Sequence, residues 1–369
     1  MARDPVFKGG GKLSNPQSST ASPIAGNSGD QPHDAALRPR CFADVIGQKA
    51  VINRLSIAVN ACKKLKEPLP HILLDGPPGL GKTTFANVLP HELCTTLQIT
   101  SGPALTRPAD LIPFLTNAEE GSILFIDEIH RLPRTVEEFI YPAMEDFRLD
   151  IVLGEGLGAR TVSMRLKRFT LIGATTRSGM LSNPMRDRFK MHEHLDFYSE
   201  NELATIVSAN ARKLETELDK AAALEIAKRS RGTPRIANSR LWWARQYSAS
   251  EMDGRITLEA ARKALDIAEV DEQGLDKQDR KYLQTLCGVF MGGPTGVEAI
   301  AATMNIPSDT LADEIEPYML REKFIIRTPR GRLATAKGWA ITGSSPPENV
   351  STEGKDNDLF SGSYRPEIN

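Results

Sequence analysis

The chain has 369 residues, of which 40% are hydrophobic and 25% are charged, and its formal net charge is −1. Because this length exceeds that of one typical compact domain, we expect two or three domains of a soluble globular protein. The near-neutral balance excludes a chain that is basic over its whole surface, although it is compatible with a local basic patch for DNA binding.

The four cysteines are scattered along the chain, without a C-x-x-C pair or a histidine at metal-ligand spacing. They predict structural thiols in a reducing compartment rather than a disulfide framework or a zinc site. No stretch approaches 18 apolar residues, and the N-terminus carries no apolar signal segment. We therefore expect a cytoplasmic protein that does not enter a membrane.

Both ends of the chain differ in composition from its middle. Residues 1–34 and 346–369 are poor in periodic apolar positions, and the first of these segments is rich in Gly, Ser, Pro and Asn. Such segments cannot bury enough surface to offset the entropy of ordering, so two disordered tails are predicted.

Residues 35–198 alternate short apolar runs with helical patterns. This alternation predicts an α/β domain with a parallel sheet that is covered on both faces. The runs predicted as buried strands are His71–Leu74, Gln98–Thr100, Ile123–Ile126 and Thr170–Ile172.

The segment Gly76–Thr84 reads GPPGLGKTT, follows a predicted strand and opens a helix. It matches the P-loop pattern G-x-x-x-x-G-K-[ST] in the context that this pattern requires. Glycines such as Gly79 and Gly81 let backbone N–H groups close around phosphate oxygens, and the helix N-terminus adds a positive partial charge. We predict that Lys82 reaches the β- and γ-phosphates of ATP and that Thr83 ligates Mg²⁺.

The run Ile123–Ile126 delivers Asp127 and Glu128 at its carboxyl end, where α/β folds bind their ligands. Asp127 is predicted to hold the hydration shell of Mg²⁺, and Glu128 to polarise the attacking water as a general base. Two solvated acids at a surface strand end are the alternative, which the preceding P-loop makes unfavourable. The pair indicates a hydrolase rather than a passive nucleotide holder.

Three later motifs resemble elements of AAA+ ATPases. Thr176, at the end of a strand, matches the sensor 1 position, with a threonine that only caps the next turn as the alternative. In MRDRF, Arg188 is preferred over Arg186 as an arginine finger, which a neighbouring subunit supplies and which accelerates hydrolysis about 10³–10⁵-fold. Because a chain cannot place this residue in its own site, the motif implies a ring; an ordinary surface cluster is the alternative. Arg235 in RGTPR matches sensor 2, with an unremarkable helix start as the alternative.

Residues 199–271 carry only helical periodicity and predict a small helical lid domain. Residues 272–345 show three short helices followed by two strand-like runs around a Pro-Arg-Gly turn. This order is the layout of a winged-helix DNA-binding module. Arg327, Arg330 and Arg332 on the hairpin suit contact with phosphates without reading of bases.

The sequences of these motifs are similar to those of the RuvB family of Holliday junction helicases. The resemblance covers about residues 35–345, and the motifs follow the family order. The motifs that carry the resemblance are LRP at Leu37–Pro39, VIGQ at Val45–Gln48, GPPGLGKTT, TSGP at Thr100–Pro103, LFIDEIHRL, YPAMED at Tyr141–Asp146, IGATTR, MRDRF, RGTPRIAN and RTPRGR at Arg327–Arg332.

The resemblance implies an ATP-dependent hexameric ring motor that pulls duplex DNA in recombination and repair. Two rings would act on each junction with RuvA and the RuvC resolvase, and ATP and Mg²⁺ would be the cofactors. It implies that Arg327 and Arg332 contact DNA and that the hairpin Leu149–Gly156 docks on RuvA. The ATP-contacting residues that it implies are Leu37, Arg38, Gly79, Lys82, Thr83, Thr84, Glu145, Asp146, Phe147, Arg188, Tyr198 and Arg235.

Two departures from the family pattern and three rival functions bear on this interpretation. Lys190 replaces a glycine beside the expected finger, which puts the geometry of the finger in doubt. Trp242-Trp243 occupies a stretch that is usually basic in the family, which suggests an altered contact between domains or subunits. A clamp-loader-like ATPase would carry a helical collar instead of the wing, and an unfoldase would carry an aromatic pore loop. A ring that binds ATP without hydrolysing it would not need Glu128.

Overall fold

The computed structural model describes residues 37–153 and 160–344. Both predicted tails lie entirely outside the described residues, as do residues 154–156 of the predicted hairpin. None of the helices in the described ranges is long and apolar enough to cross a membrane.

The described strands form three sheets. A parallel sheet has the order β2-β3-β6-β1-β7, and two antiparallel hairpins pair β4 with β5 and β8 with β9. The strands are β1 Ile72–Asp75, β2 Leu97–Ser101, β3 Ser122–Asp127, β4 Arg148–Leu153, β5 Arg160–Arg165, β6 Phe169–Thr175, β7 Met191–His194, β8 Ile325–Thr328 and β9 Gly331–Ala334.

The helices that precede residue 199 pack on the parallel sheet, and the later ones build the other two domains. The α-helices are α1 Lys49–Leu65, α2 Lys82–Leu93, α3 Pro108–Thr116, α4 Arg134–Glu145, α5 Asn183–Asp187, α6 Glu200–Lys213, α7 Lys220–Lys228, α8 Pro234–Glu251, α9 Leu258–Ile267, α10 Lys277–Gln284, α11 Val297–Met304, α12 Ser308–Thr310, α13 Glu316–Arg321 and α14 Ala336–Thr342.

The four predicted strands are confirmed as β1, β2, β3 and β6. Three of them, β1, β3 and β6, have side chains that alternate between two buried faces: Leu124 lies in one hydrophobic cluster, and Ile123 and Phe125 lie in the other. The expectation of a buried strand is wrong for β2, which lies at the edge of the sheet and has Ile99 47% exposed. Burial on both faces explains why these three strands read as continuous apolar runs. The edge strand β7 was missed, because its sequence MHEH is polar; its Glu193 is nevertheless only 2% exposed and pairs with Arg54 of α1.

The lid, built from α6 to α9, shares its hydrophobic cluster with one face of the parallel sheet through residues such as Leu203 and Ile226. The C-terminal domain has a cluster of its own, centred on Tyr282 and Phe324. It consists of helices followed by the β8–β9 hairpin and the additional helix α14. The predicted fold class, an α/β P-loop domain with a helical lid and a winged helix, is confirmed.

The segment expected to be an exposed hairpin forms one, since β4 pairs with β5 from Arg148↔Arg165 to Leu153↔Arg160. Leu149 is fully buried at the base, whereas Val162 on the second strand is 46% exposed. The strand β5 was not anticipated from its charged sequence RTVSMR.

Candidate nucleotide-binding site

The P-loop connects the end of β1 to the start of α2, and glycines fix its path. Gly76 and Gly79 have φ values of 138° and 76°, which side-chain-bearing residues rarely adopt. A Cβ on Gly76 would lie 2.6 Å from the carbonyl oxygen of Leu195, and a Cβ on Gly79 would lie 2.7 Å from Cγ2 of Thr233. The loop is therefore held between the edge of the sheet and the lid.

The ammonium group of Lys82 is buried at the first position of α2. Its Nζ donates hydrogen bonds to the carbonyl oxygens of Gly76 and Pro77 at 2.7 and 2.8 Å. Burial lowers the pKa of Lys82 to about 8, and the negative charge of Asp127 opposes this fall. A buried cation with neutral partners at a helix N-terminus is suited to receive an anion.

The paired carboxylates at the end of β3 have different surroundings. Burial raises the pKa of Asp127, against a hydrogen bond from the Glu128 N–H to its Oδ1 at 2.9 Å. Glu128 has a left-handed backbone (φ 47°) and an outward carboxylate, 44% exposed, whose Oε2 lies 3.0 Å from Nη1 of Arg131. In this structure one oxygen of the Glu128 carboxylate is therefore paired with Arg131.

The end of β6 is bound to the segment that follows β3. Oγ1 of the buried Thr175 hydrogen-bonds with Nδ1 of His130 at 3.0 Å and accepts the N–H of Arg177 at 2.9 Å. Burial lowers the pKa of His130, which favours the neutral ring. Thr175 is thus occupied with structural contacts, while Thr176 follows the last strand residue and stays the predicted sensor.

Two residues contact the P-loop from the side of the lid: Arg235, which belongs to the lid, and Tyr198, which directly precedes it. The Arg235 N–H donates to the carbonyl oxygen of Gly79 at 3.4 Å, and the hydroxyl of the buried Tyr198 donates to that of Leu80 at 3.2 Å. Burial raises the pKa of Tyr198 to about 12. The positive charge of Arg235 shifts the pKa of both Lys82 and Asp127 downwards, so these groups share one electrostatic environment.

Other expected nucleotide contacts lie at the borders of this site. Thr83 and Thr84 are partly buried in the first turn of α2. Leu37 is 7% exposed, and its carbonyl oxygen accepts a hydrogen bond from Nζ of Lys213 in the lid at 2.8 Å. Arg38 follows it directly. The start of the described chain is therefore attached to the lid.

The expected finger belongs to a second cluster. Nη2 of Arg188 lies 3.1 Å from Oε1 of Glu145, its Nη1 donates to the carbonyl oxygen of Pro184 at 2.6 Å, and its guanidinium stacks 3.8 Å from the ring centre of Tyr141. None of these partners belongs to the P-loop. The Arg188 side chain is 20% exposed and is not enclosed in the interior.

Phe147 and Asp146, which were expected to contact nucleotide, adjoin this second cluster. The ring of Phe147 meets that of Phe169 edge-on at 6.0 Å, and the carboxylate of Asp146 lies 3.6 Å from Nη2 of Arg148. The expected nucleotide contacts thus divide into a P-loop group and an Arg188 group within one chain.

The two departures from the family pattern have clear surroundings. Lys190 is exposed and is not among the described residues with positive φ, so a glycine is not required there. Trp243 donates its indole N–H to the carbonyl oxygen of Ala264 at 2.7 Å, and Trp242 is 41% exposed on α8. Trp243 therefore strengthens the packing of the lid, and Trp242 adds an apolar surface.

In the winged helix, a buried carboxylate organises the arginines of the hairpin. Glu316 is 0% exposed. Its Oε2 forms an ion pair with Arg327 at 2.5 Å, and its Oε1 forms one with Arg332 at 2.8 Å. Oε1 also accepts a hydrogen bond from the Tyr282 hydroxyl at 3.1 Å. Burial raises the pKa of Glu316, but the hydrogen bonds from Arg332 and Arg327 outweigh it, and the pKa lies below its usual value. Arg330 is exposed in the turn.

Sequence reasoning missed three residues of these sites. Gly102 has no room for a side chain, because a Cβ there would meet the carbonyl oxygen of Glu128. Thr233 packs against Gly79, and Glu316 joins both hairpin arginines. Gly102 and Thr233 lie in the motifs TSGP and RGTPR, whereas no local sequence pattern marks Glu316.

Comparison with known proteins assigns the three parts of the chain. Three family models match it: the Holliday junction DNA helicase RuvB P-loop domain at residues 37–195, the RuvB AAA lid domain at 198–271 and the RuvB C-terminal winged helix domain at 272–342. The chain is 57% identical over 306 residues to the Holliday junction branch migration complex subunit RuvB of Rhodopirellula baltica, covering 83% of this chain and 84% of that protein.

Solved structures agree with this assignment. The Holliday junction branch migration motor RuvB of Thermotoga maritima matches with a TM-score of 0.78 and 43% identity, over 85% of this chain and 100% of that chain. A proline-to-glycine mutant of the same protein matches with a TM-score of 0.79 and 43% identity, over 84% of this chain and 100% of that chain.

Proposed function

Because the chain belongs to the RuvB family of AAA+ P-loop ATPases, we propose that it forms a hexameric ring that hydrolyses ATP and pulls duplex DNA to move Holliday junctions. The observation that carries the proposal is the convergence of Lys82, Asp127 and Arg235 on one P-loop, in a chain that also bears a winged helix. Its work would take place in the cytoplasm, during recombination and repair.

The donor groups at the P-loop fit Mg²⁺ and a triphosphate. Thr83 offers a hydroxyl and Asp127 a carboxylate, which are hard oxygen donors of the kind that Mg²⁺ prefers. Bound Mg²⁺ would neutralise charge that develops on the phosphates. On binding of ATP, Lys82 would exchange the carbonyl oxygens of Gly76 and Pro77 for phosphate oxygens.

The remaining steps belong to the polar groups around this loop. Glu128, once released from Arg131, would accept the proton of the attacking water. Thr176 would position that water against the γ-phosphate, and Arg235 would report the nucleotide state to the lid. Leu37 and Arg38 would border the adenine, next to Tyr198.

The Arg188 group is assigned to the site of a neighbouring subunit. Its guanidinium is partly exposed, and its described partners lie outside the P-loop. Transfer from Glu145 to a γ-phosphate would supply charge stabilisation across the interface, and Glu145, Asp146 and Phe147 would line it. If every subunit donates one finger and receives another, these head-to-tail interfaces must close into a ring.

DNA would be held by the hairpin of the winged helix. Arg330 offers an exposed cation for the backbone, and Arg327 and Arg332 flank it on the same hairpin. Phosphate contact without base reading suits a motor that must move along any sequence. Two rings would flank a junction held by RuvA, contacted through the β4–β5 hairpin, and RuvC would act on the same complex.

The test is migration of a synthetic four-way junction by the purified chain with RuvA and ATP. We expect movement with the unaltered chain and none with Lys82→Ala. Lys64→Ala, which removes an exposed lysine of α1, is the matched control and should leave migration intact. ATP-dependent migration that survives in Lys82→Ala, or its absence from the unaltered chain, would refute the proposal.

A further inference from the structure

Arg177 joins the P-loop domain directly to the winged helix through two ion pairs. Arg177, two residues after the end of β6, donates from Nε and Nη2 to the two carboxylate oxygens of Asp313 at 2.8 and 2.9 Å. Its Nη2 also donates to Oδ1 of Asp309 at 2.8 Å. A single guanidinium thus binds two carboxylates of the segment that leads into α13, 132 and 136 positions further along the chain.

The geometry of this contact makes it specific. Two parallel N–H···O bonds to one carboxylate fix the orientation of both groups, which a lysine could not do. The Arg177 side chain is 24% exposed and that of Asp313 is 31% exposed, so solvent screens their attraction only in part. Asp309 is 78% exposed and adds charge at the rim.

The other end of Arg177 is attached to the predicted catalytic strand. Its backbone N–H donates to Oγ1 of Thr175, which also hydrogen-bonds with Nδ1 of His130, two residues after Glu128. Thr176, the predicted sensor, lies between Thr175 and Arg177 in the chain. A displacement of this strand end by a γ-phosphate would therefore move the guanidinium that holds the winged helix.

The charges near this contact indicate how binding of ATP would affect it. The Asp313 carboxylate is among the groups whose negative charge acts on the Lys82 ammonium, where burial lowers the pKa to about 8. The phosphates of ATP, bound at Lys82, would add negative charge of the same sign to this environment. They would repel Asp313 and would compete for the positive charge of Arg177.

We propose that Arg177 is a positioning residue that couples the two sites, holding the winged helix through Asp309 and Asp313 until binding of ATP loosens this hold. The inference rests on the proposed function, because it assigns a route by which the ATP cycle reaches the DNA-binding domain. By thermodynamic reciprocity, a winged helix that is held in place would in turn oppose the binding of ATP.

Hydrogen exchange of the full chain tests this coupling without DNA. We expect amides in residues 308–321 to exchange about fivefold faster with a non-hydrolysable ATP analogue than with ADP, the lower end of typical coupling. In Asp309→Asn/Asp313→Asn they should exchange fast with both nucleotides. The single variant Asp313→Glu keeps the negative charge, so its exchange should still depend on the nucleotide.

The control variant is Asp219→Asn, which removes the lid's ion pair with Arg255 (2.7 Å). It should exchange like the unaltered chain, because this pair does not join the two domains. Equal exchange with both nucleotides in the unaltered chain would overturn the proposal, as would a nucleotide effect that persists in the double variant. DNA-stimulated ATP hydrolysis, measured on the same protein preparations with ATP and duplex DNA added, decides the proposed function separately from this coupling.

Discussion

Arg188 forms an ion pair with Glu145 of its own chain, with Nη2 and Oε1 3.1 Å apart. The same guanidinium lies over the ring of Tyr141. A finger that serves a neighbour must exist in a resting position before the interface forms, and this pair supplies one. The partial exposure of Arg188 is compatible with its transfer to an incoming phosphate.

Subunit mixing tests the transfer. Arg188→Ala and Lys82→Ala should each lose hydrolysis by about 10³-fold or more when pure, because each ring lacks one half of every site. Mixed in equal amounts, they should regain activity at about one quarter of the interfaces, where an intact P-loop meets an intact finger. The measurement is phosphate release as a function of mixing ratio.

A mixture no more active than its separate components would contradict supply of the finger from a neighbour. Lys190→Gly provides a control, because Lys190 lies beside the cluster without contributing to the proposed chemistry. Since Lys190 does not occupy a positive φ, its replacement should leave the recovery on mixing unchanged.

The lowered pKa of Lys82 predicts that binding of ATP is linked to a proton. Burial holds this pKa at about 8 in the free protein, and phosphate would raise it in the complex. Above pH 8, binding must therefore take up a proton, and affinity should fall as pH rises towards the pKa of the complex. Calorimetry in buffers with different ionisation enthalpies measures this uptake. Lys82→Arg, whose side chain stays charged, should show none, and equal uptake in both proteins would contradict the assignment.

Most of the fold could be predicted, because hydrophobic burial leaves a periodic record in the sequence. Strands with two buried faces, such as Ile123–Ile126, read as apolar runs. The edge strand at Met191–His194 left no such record, since the burial of Glu193 depends on Arg54, 139 positions earlier. Local pattern cannot report a long-range ion pair.

The same distinction applies to the sites. Lys82 and Asp127 were found from sequence because the chemistry of phosphate binding fixes their spacing from glycines and strands. Glu316 and Asp313 were not found, because their roles arise only when the chain brings distant arginines to them. The sequence showed which groups could act on phosphate, but it did not show which of them are already paired.

Gly79 should control closure of the lid on the P-loop. Gly79→Ala would place a methyl group 2.7 Å from Cγ2 of Thr233, at a φ of 76° that costs a non-glycine residue roughly 1–2 kcal/mol. The lid would be displaced, and we expect affinity for ATP to fall about fivefold or more. Equilibrium titration with a fluorescent ATP analogue measures it. Gly179→Ala is the control, since a Cβ there meets nothing within 4 Å; equal affinities would refute this account.

Glu316 should stabilise the winged helix as well as orient its arginines. Glu316→Gln leaves Arg332 without its charged partner, and we expect a loss of about 3 kcal/mol in the free energy of unfolding, at the low end for a broken buried pair because Arg327 can turn to solvent. The pKa of Glu316 lies below its usual value, so this stabilisation is present above the unfolded pKa and is lost as pH falls through the folded one.

Urea denaturation of the full chain, followed by fluorescence at neutral pH and at pH 4, measures this contribution. Glu314→Gln, an exposed neighbour on the same segment, should cost little at either pH. If both variants unfold at the same urea concentration, the buried carboxylate is not the source of stability.

Replacement of each of the three hairpin arginines should have a different effect on DNA affinity and on the free energy of unfolding. Arg330 is exposed, so Arg330→Ala should weaken DNA binding while leaving the unfolding free energy unchanged. The slope of log K against log salt should become shallower by about 1, the value for one lost phosphate contact. Fluorescence anisotropy with duplex DNA, over a range of salt concentrations, measures this slope.

Arg332 is only 18% exposed and donates to both oxygens of Glu316. Arg332→Ala should therefore lower stability as well as DNA affinity, because it leaves a buried carboxylate that only Arg327 can neutralise. Arg327, at 49% exposed, should fall between the other two. If Arg330→Ala left the salt slope unchanged and Arg332→Ala altered it without loss of stability, the phosphate contact would belong to Arg332. Glu316 would then have to release that arginine whenever DNA binds.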